Sequence, residues 1–106
     1  MVYELREYRI KDGKRDQWVQ LMEEKIIPFQ VSKGMVVIGS FVNEEESDHY
    51  IWIRRFKDEE ERKGLYQEVY ESDYWKETIK PQIDIMLDRE KIRVTRMLPT
   101  GKSVLQ

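Results

Sequence analysis

The sequence predicts an α+β fold in which two β-α-β units share one antiparallel sheet of four strands. Four stretches alternate with the period of two that strands show, and both long intervals between them carry apolar side chains at helical spacing. Their order, β-α-β-β-α-β, is the split βαβ arrangement of ferredoxin-like folds, with the helices on one face of the sheet. The length of 106 residues suits one domain, which we place at residues 1–106.

The first third of the chain is predicted to form a strand and then a helix. Residues 2–10 alternate as a strand, and Asp12-Gly13 predicts a turn. A helix follows, whose apolar stripe consists of Trp18, Leu21, Met22, Ile26 and Phe29. Pro28 lacks an amide hydrogen, so the helix is expected to end or kink near it.

A β-hairpin is predicted in the middle of the chain. Residues 35–42 form the second strand, in which Gly39 marks a bulge or the close approach of another group. The acidic residues 43–48 form a solvated loop. Residues 49–56 are predicted to be the third strand because β-branched and aromatic residues dominate them. The loop leads directly from the second strand into the third, so the two are expected to pair as an antiparallel hairpin.

The last third of the chain is predicted to be helical and then to return to the sheet. Asp58 and Glu61 have the spacing of a capping box for a helix reaching about residue 71. Ser72 or Asp73 can cap a further helical segment, which Pro81 should kink or restart. Its apolar positions are Trp75, Ile79, Ile83, Met86 and Leu87. Residues 91–98 alternate again as the fourth strand.

The third strand determines how we expect the sheet to be covered. One of its faces carries Ile51 and Ile53, which we interpret as packing on the helices. The other carries Tyr50, Trp52, Arg54 and Phe56, and Tyr8 of the first strand joins it. If this aromatic face were left bare by the helices, its apolar area would exceed what a soluble monomer usually exposes. We therefore expect it to face an enclosed space, either a ligand pocket or a subunit interface, and predict a homodimer in which two sheets pack face to face.

Composition excludes several classes of function. With 19 basic and 21 acidic residues the net charge is -2, so no basic surface for nucleic acid or anionic lipid is expected. Cysteine is absent, which rules out disulfides, thiolate catalysis and cysteine-ligated metals. No apolar run is long enough to span a membrane, and we expect a cytoplasmic protein. No hydrolytic triad, phosphate-binding glycine loop or dinucleotide fingerprint occurs.

Segments along nearly the whole chain resemble the NIPSNAP family. They are YELREY at residues 3–8, GMVVIGSF at 34–41, YIWIRRF at 50–56 followed by Glu61-Arg62, YESDYW at 70–75 and TRMLPT at 95–100. The resemblance implies a dimeric α+β barrel, a superfamily that includes heme-degrading monooxygenases, quinol-forming cyclase-like oxygenases and chlorite dismutase-like proteins. It supplies a fold and a pocket but no reaction, because the NIPSNAP branch has no settled mechanism. Its animal members are linked to mitochondria, a location that we do not transfer because the chain lacks an Arg- and Ser-rich leader.

The candidate site residues come from the first and third strands. Glu4, Arg6 and Tyr8 share one face of the first strand, and Arg54 of the third strand carries a second guanidinium. If these residues line a pocket, the arginines bind an anionic or carbonyl substrate, and Tyr8 and Arg54 are the catalytic candidates. The alternative is that Glu4 and Arg6 form ion pairs with each other or across strands. Trp52, with Tyr50 beside it, either stacks on a flat ligand or fills the dimer core.

No resident metal or cofactor is predicted. His49 is the only histidine and so the only candidate ligand for a heme iron, but beside the acidic loop we expect it to be exposed. Arg96 interrupts an apolar strand face and needs a carboxylate partner. Two functions stay open: a small homodimer that binds or transforms a hydrophobic or aromatic molecule, as monooxygenases and isomerases do, or a non-catalytic dimeric interaction or scaffold protein.

Overall fold

The computed structural model describes residues 1–106 and has the predicted order of strands and helices. Four strands form one antiparallel sheet in the order β2-β3-β1-β4. The strands are β1 (Val2–Arg9), β2 (Val36–Val42), β3 (His49–Phe56) and β4 (Arg93–Met97). The predicted α+β fold is thus confirmed. The fourth strand is shorter than predicted because a 3-10 turn takes up Arg89–Lys91.

Two helical layers, each interrupted by a π-helical turn, cover one face of the sheet. The first consists of α1 (Arg15–Leu21), the first π turn (Met22–Ile26) and α2 (Ile27–Ser32). The second consists of α3 (Glu59–Tyr70), followed by the second π turn (Trp75–Ile79) and α4 (Lys80–Met86).

Both π turns lie just before a proline. Pro28 and Pro81 each occupy one of the first two positions of the helix that follows. Proline cannot donate to the carbonyl four residues earlier, and its ring crowds that carbonyl, so a wider turn relieves the clash. Of the two outcomes that the sequence predicts at Pro28, an end or a kink, the helix therefore does not end there. It continues to Ser32.

The predicted caps and the predicted bulge are confirmed. The Asp58 carboxylate accepts from the Glu61 amide at 2.8 Å, and the Glu61 carboxylate accepts from the Lys57 amide at 3.1 Å. Ser72, rather than Asp73, caps the segment that follows, since its Oγ accepts from the Trp75 amide at 3.2 Å. The register between β2 and β3 shifts beside Gly39, where a Cβ atom would collide with the ring of Phe41.

The assignment of the two sheet faces is wrong. Tyr8 lies opposite Tyr50, Arg6 opposite Trp52 and Glu4 opposite Arg54, so these side chains share a face. That face is the one under the helices, where Trp52 is 2% and Phe56 0% exposed. Packing the apolar stripes of the helices against the aromatic face removes more apolar area from water than packing them against the other face would. The bare face carries the other set of residues, which includes Leu5, Phe41, Ile51 and Ile53.

Candidate functional site

A cavity of about 270 Å³ lies between the helical layers and the sheet. Six aromatic side chains line it, those of Tyr8, Trp18, Trp52, Tyr66, Tyr70 and Trp75. Aliphatic side chains complete the apolar part, and the only charged side chains that line it are Arg6, Lys80 and Arg89. Lys80 and Arg89 are exposed, so they mark the side that opens to solvent.

The period of each element directs these side chains inward. Arg6 and Tyr8 alternate along β1, and Trp52 is the cross-strand neighbour of Arg6 on β3. Tyr66 and Tyr70 are four residues apart on α3, so both project from the same side of that helix. The two π turns place Met22, Ile26 and Trp75 on the opposite wall. Such single-turn π segments are frequent at functional sites.

Arg6 and Tyr8 form the polar centre of the cavity. Arg6 Nε donates to the Tyr8 hydroxyl at 2.8 Å, and Arg6 Nη1 donates to the Tyr66 hydroxyl at 3.4 Å. Because the Tyr8 oxygen accepts from Arg6, its own proton is free for a ligand. Burial opposes the charged form of Arg6, but the oxygens of Tyr8 and Tyr70 outweigh it and raise the pKa of the guanidinium. Arg6 therefore stays cationic.

Behind this wall, Arg54 is fully buried in a hydrogen-bond network. Its Nη2 donates to Glu4 Oε1 at 2.8 Å and to the Tyr66 hydroxyl at 2.7 Å. Its Nη1 donates to the Tyr70 hydroxyl at 2.7 Å and to Gln30 Oε1 at 2.8 Å. Arg54 thereby fixes the hydroxyl ends of two tyrosines whose rings form part of the cavity wall.

Glu4 neutralises part of this positive charge. The carboxylate is 0% exposed and accepts from Arg54, from Arg62 Nε at 2.6 Å and from the Tyr66 hydroxyl at 2.8 Å. Burial alone would raise its pKa, but Arg54 and the hydrogen bond from Arg62 outweigh burial and lower it. Burial raises the pKa of Tyr66 to about 12, so this hydroxyl stays protonated and donates to Glu4.

Two buried donors of the cavity wall have no hydrogen-bond partner. They are the indole Nε1 atoms of Trp18 and Trp52, whose side chains are 1% and 2% exposed. A buried donor without an acceptor costs about 1–3 kcal/mol.

The predicted site residues fall into three groups. Arg6, Tyr8 and Trp52 line the cavity together. Glu4 and Arg54 lie behind it and form an ion pair between β1 and β3. For Glu4 this is the cross-strand ion pair that the sequence predicts as the alternative to lining a pocket. Tyr50 is buried away from the cavity, where its hydroxyl bonds to Ser40 Oγ.

Sequence reasoning missed the contribution of the helices to this site. Trp18, Tyr66, Tyr70 and Trp75 line the cavity, although their helical spacing is the ordinary pattern of core residues. Tyr66 and Tyr70 could have indicated a polar site. Two tyrosine hydroxyls on one buried helix stripe both need hydrogen-bond partners inside the fold.

The expected exposure of His49 is wrong. The residue is 9% exposed, and its ring bonds to Glu7 Oε1 at 3.1 Å and to the Asn43 side chain at 2.9 Å. Asn43 also accepts from the amides of Glu45 and Glu46, which folds the acidic loop back over the histidine. Arg96 is exposed, and the carboxylate with which it pairs is that of Glu59.

The cavity does not fit a heme. His49 shares the bare sheet face with Glu7, on the other side of the sheet from the cavity, and both of its ring nitrogens are engaged. The structure contains no group of three or more His, Asp or Glu side chains that could hold a metal ion. None of its helices combines the length and the apolar character that a membrane span requires.

Taken together, the sheet order and the position of the cavity define a ferredoxin-like α+β protein with a site between helices and sheet. The NIPSNAP family model matches residues 3–102. The chain belongs to the NIPSNAP family.

Solved structures share the fold of this chain. A protein of Agrobacterium tumefaciens is 23% identical, with a TM-score of 0.90 and complete coverage of both chains. A NIPSNAP family protein of the same organism is 26% identical, with a TM-score of 0.87 over 99% of this chain and 98% of that one. A putative antibiotic biosynthesis monooxygenase from Nitrosomonas europaea shares the fold at 7% identity, with a TM-score of 0.71 over 93% of this chain and 98% of that one. No curated protein matches.

Proposed function

We propose that the chain binds a small hydrophobic or aromatic molecule in the cavity between helices and sheet, and transforms it in a monooxygenase- or isomerase-like reaction. The observation that carries this proposal is a cavity with an aromatic wall and one polar centre, the hydrogen-bonded Arg6 and Tyr8. Ligand sites are commonly apolar cavities with a few placed polar groups. The fold shared with proteins described as antibiotic biosynthesis monooxygenases supports the proposal only by analogy.

The polar centre suits chemistry in which an oxygen becomes negatively charged. Isomerisation next to a carbonyl and cofactor-independent oxygenation both begin from an enolate or a phenolate. Arg6 supplies a fixed positive charge, and the Tyr8 hydroxyl supplies a proton that stabilises such an oxygen. Both interactions are stronger where the aromatic side chains shield the ligand from water.

The second candidate is binding without catalysis, as in an interaction or scaffold protein. The observation that favours it is the lack of a histidine or carboxylate among the cavity-lining residues. Such a group would be needed to remove a proton near neutral pH. In this case the function consists of forming the proposed dimer and binding the ligand, without a reaction.

Intrinsic fluorescence tests the proposal directly, because all three tryptophans of the chain line the cavity. Titration with 3-phenylpropanol, a neutral single-ring probe, should change the emission in a saturable way. In the variant Ile83→Phe the larger side chain occupies the cavity, so saturable binding should be lost. Ile85→Phe is the matched control, because Ile85 is 65% exposed on the same helix and does not line the cavity. Equal binding by both variants would overturn the proposed site.

A further inference from the structure

We propose that the ligand of this cavity carries a carboxylate, which Arg6 binds, attached to a single aromatic or similarly flat apolar group. The inference rests on the proposed function and specifies the class of molecule bound. It follows from the charges around the cavity, from the partners of each arginine and from the size of the enclosed space.

The positive charge near the cavity exceeds the negative charge available to neutralise it. Glu4 is the only buried carboxylate, and it serves both Arg54 and Arg62. No carboxylate lies within 4.0 Å of the Arg6 guanidinium, whose hydrogen-bond partners are two tyrosine hydroxyls. A guanidinium withdrawn from water stays charged only with compensating partners, and neutral hydroxyls compensate less than an anion does.

The two cations at the open side do not take this role. Lys80 Nζ and Arg89 Nε both bond to Asp84, at 3.3 and 2.6 Å, so their charges are partly neutralised on the surface. They favour the approach of an anion from solvent. Arg6 is thus the one cation lining the cavity that has no acidic partner. Its Nη2 group makes no hydrogen bond within the chain, so Nη2 and the Tyr8 hydroxyl can each donate to one oxygen of a carboxylate.

The size and the wall of the cavity define the rest of the molecule. About 270 Å³ is just below the roughly 300–1,000 Å³ of typical ligand pockets, so one ring with a short chain suits it. Six aromatic side chains line the space, and their faces and edges favour a flat apolar group.

The test compares 3-phenylpropionate with 3-phenylpropanol, which differ in charge but hardly in shape, by tryptophan fluorescence at neutral pH. The wild-type chain should bind the carboxylate roughly 10- to 100-fold more tightly, as expected for hydrogen bonds to a charged group. Arg6→Gln should reduce this preference to less than about 3-fold, whereas Arg6→Lys should keep part of it. Arg93→Gln is the control, since Arg93 lies on the bare sheet face and its side chain is 79% exposed.

The outcomes separate this inference from the proposed function. Equal affinity of the wild-type chain for the two probes would overturn the carboxylate assignment and leave the cavity as a ligand site. Binding of neither probe would overturn both. A preference that survives in Arg6→Gln would show that another cation binds the anion, which also overturns the role of Arg6. The wild-type comparison decides the charge preference even if Arg6→Gln fails to fold.

Discussion

At the scale of single residues, the buried ion pair between Glu4 and Arg54 shapes the site without lining the cavity. The period of two in each strand predicts that Glu4, Arg6 and Tyr8 share a face, and the structure places them so. The same period does not tell which of these side chains reaches the cavity and which lies behind it. That depends on Tyr66 and Tyr70, which α3 brings to Arg54 from distant positions in the chain.

Replacing Arg54 with Met should cost about 3–5 kcal/mol of unfolding free energy, because Glu4 would lose its fully buried partner. Urea unfolding measures the change. The double variant with Glu4→Gln should recover part of the loss, since it removes a buried carboxylate whose one remaining cationic partner is the partly exposed Arg62. Arg93→Met, at an exposed side chain, should change stability by no more than about 0.5 kcal/mol. A loss below about 1 kcal/mol in Arg54→Met would contradict the structural role of the pair.

Glu4 should also make the protein sensitive to acid. Its pKa is lowered in the folded state from an ordinary value of 4.5, so its contribution to stability is present above pH 4.5 and is lost as the pH falls through the folded value. Glu4→Gln should therefore be less stable than wild type at neutral pH but lose less stability on acidification. Thermal unfolding at a series of pH values measures both curves. Glu44→Gln, in the exposed loop, should follow the wild-type curve.

At the scale of helices and strands, period and capping chemistry identify the four strands and the main helical segments, while the π turns and the 3-10 turn at Arg89–Lys91 are not foreseen. Each π turn depends on a proline within a helix that tertiary packing keeps continuous. The sequence shows the proline, but whether the helix ends or widens depends on the apolar residues beyond it and on their packing. Ile83 and Met86 are buried after Pro81, which holds that helix together.

The cap at Asp58 should matter for both stability and binding, because α3 positions Tyr66 and Tyr70. Asp58→Ala removes the acceptor for the Glu61 amide and should cost about 0.5–2 kcal/mol of unfolding free energy. It should also weaken binding of 3-phenylpropionate by loosening the first turns of this wall. Lys63→Ala, at an exposed position of the same helix, should have little effect on either. An unchanged unfolding midpoint in Asp58→Ala would count against the cap.

At the scale of the whole molecule, the sequence predicts the sheet and its helices but not which face the helices cover. Both faces of β3 carry large apolar side chains, and an arginine such as Arg54 is rarely buried unless it is paired. A buried network of one carboxylate, three hydroxyl or amide partners and Arg54 makes this face compatible with burial. The candidate site therefore lies inside one chain, between its helices and its sheet, instead of between two sheets.

We still propose a homodimer, now through the opposite face. This bare face carries Phe41 and Val36, which are 53% and 38% exposed, beside half-buried Leu5, Ile51 and Ile53. Two copies related by a two-fold axis can cover it with the same residues. Phe41→Lys should dissociate the dimer in light scattering without reducing ligand affinity, because Phe41 does not line the cavity. A monomeric wild-type protein at micromolar concentration would contradict this proposal.

Native mass spectrometry with 3-phenylpropionate tests the central claim most directly, because it reports subunit number and ligand number in one spectrum. A site inside each chain predicts a dimer that binds up to two ligand molecules, with both lost in Ile83→Phe and retained in Ile85→Phe. A dimer that never binds more than one ligand, and keeps it in Ile83→Phe, would place the site between the two sheets and contradict the account.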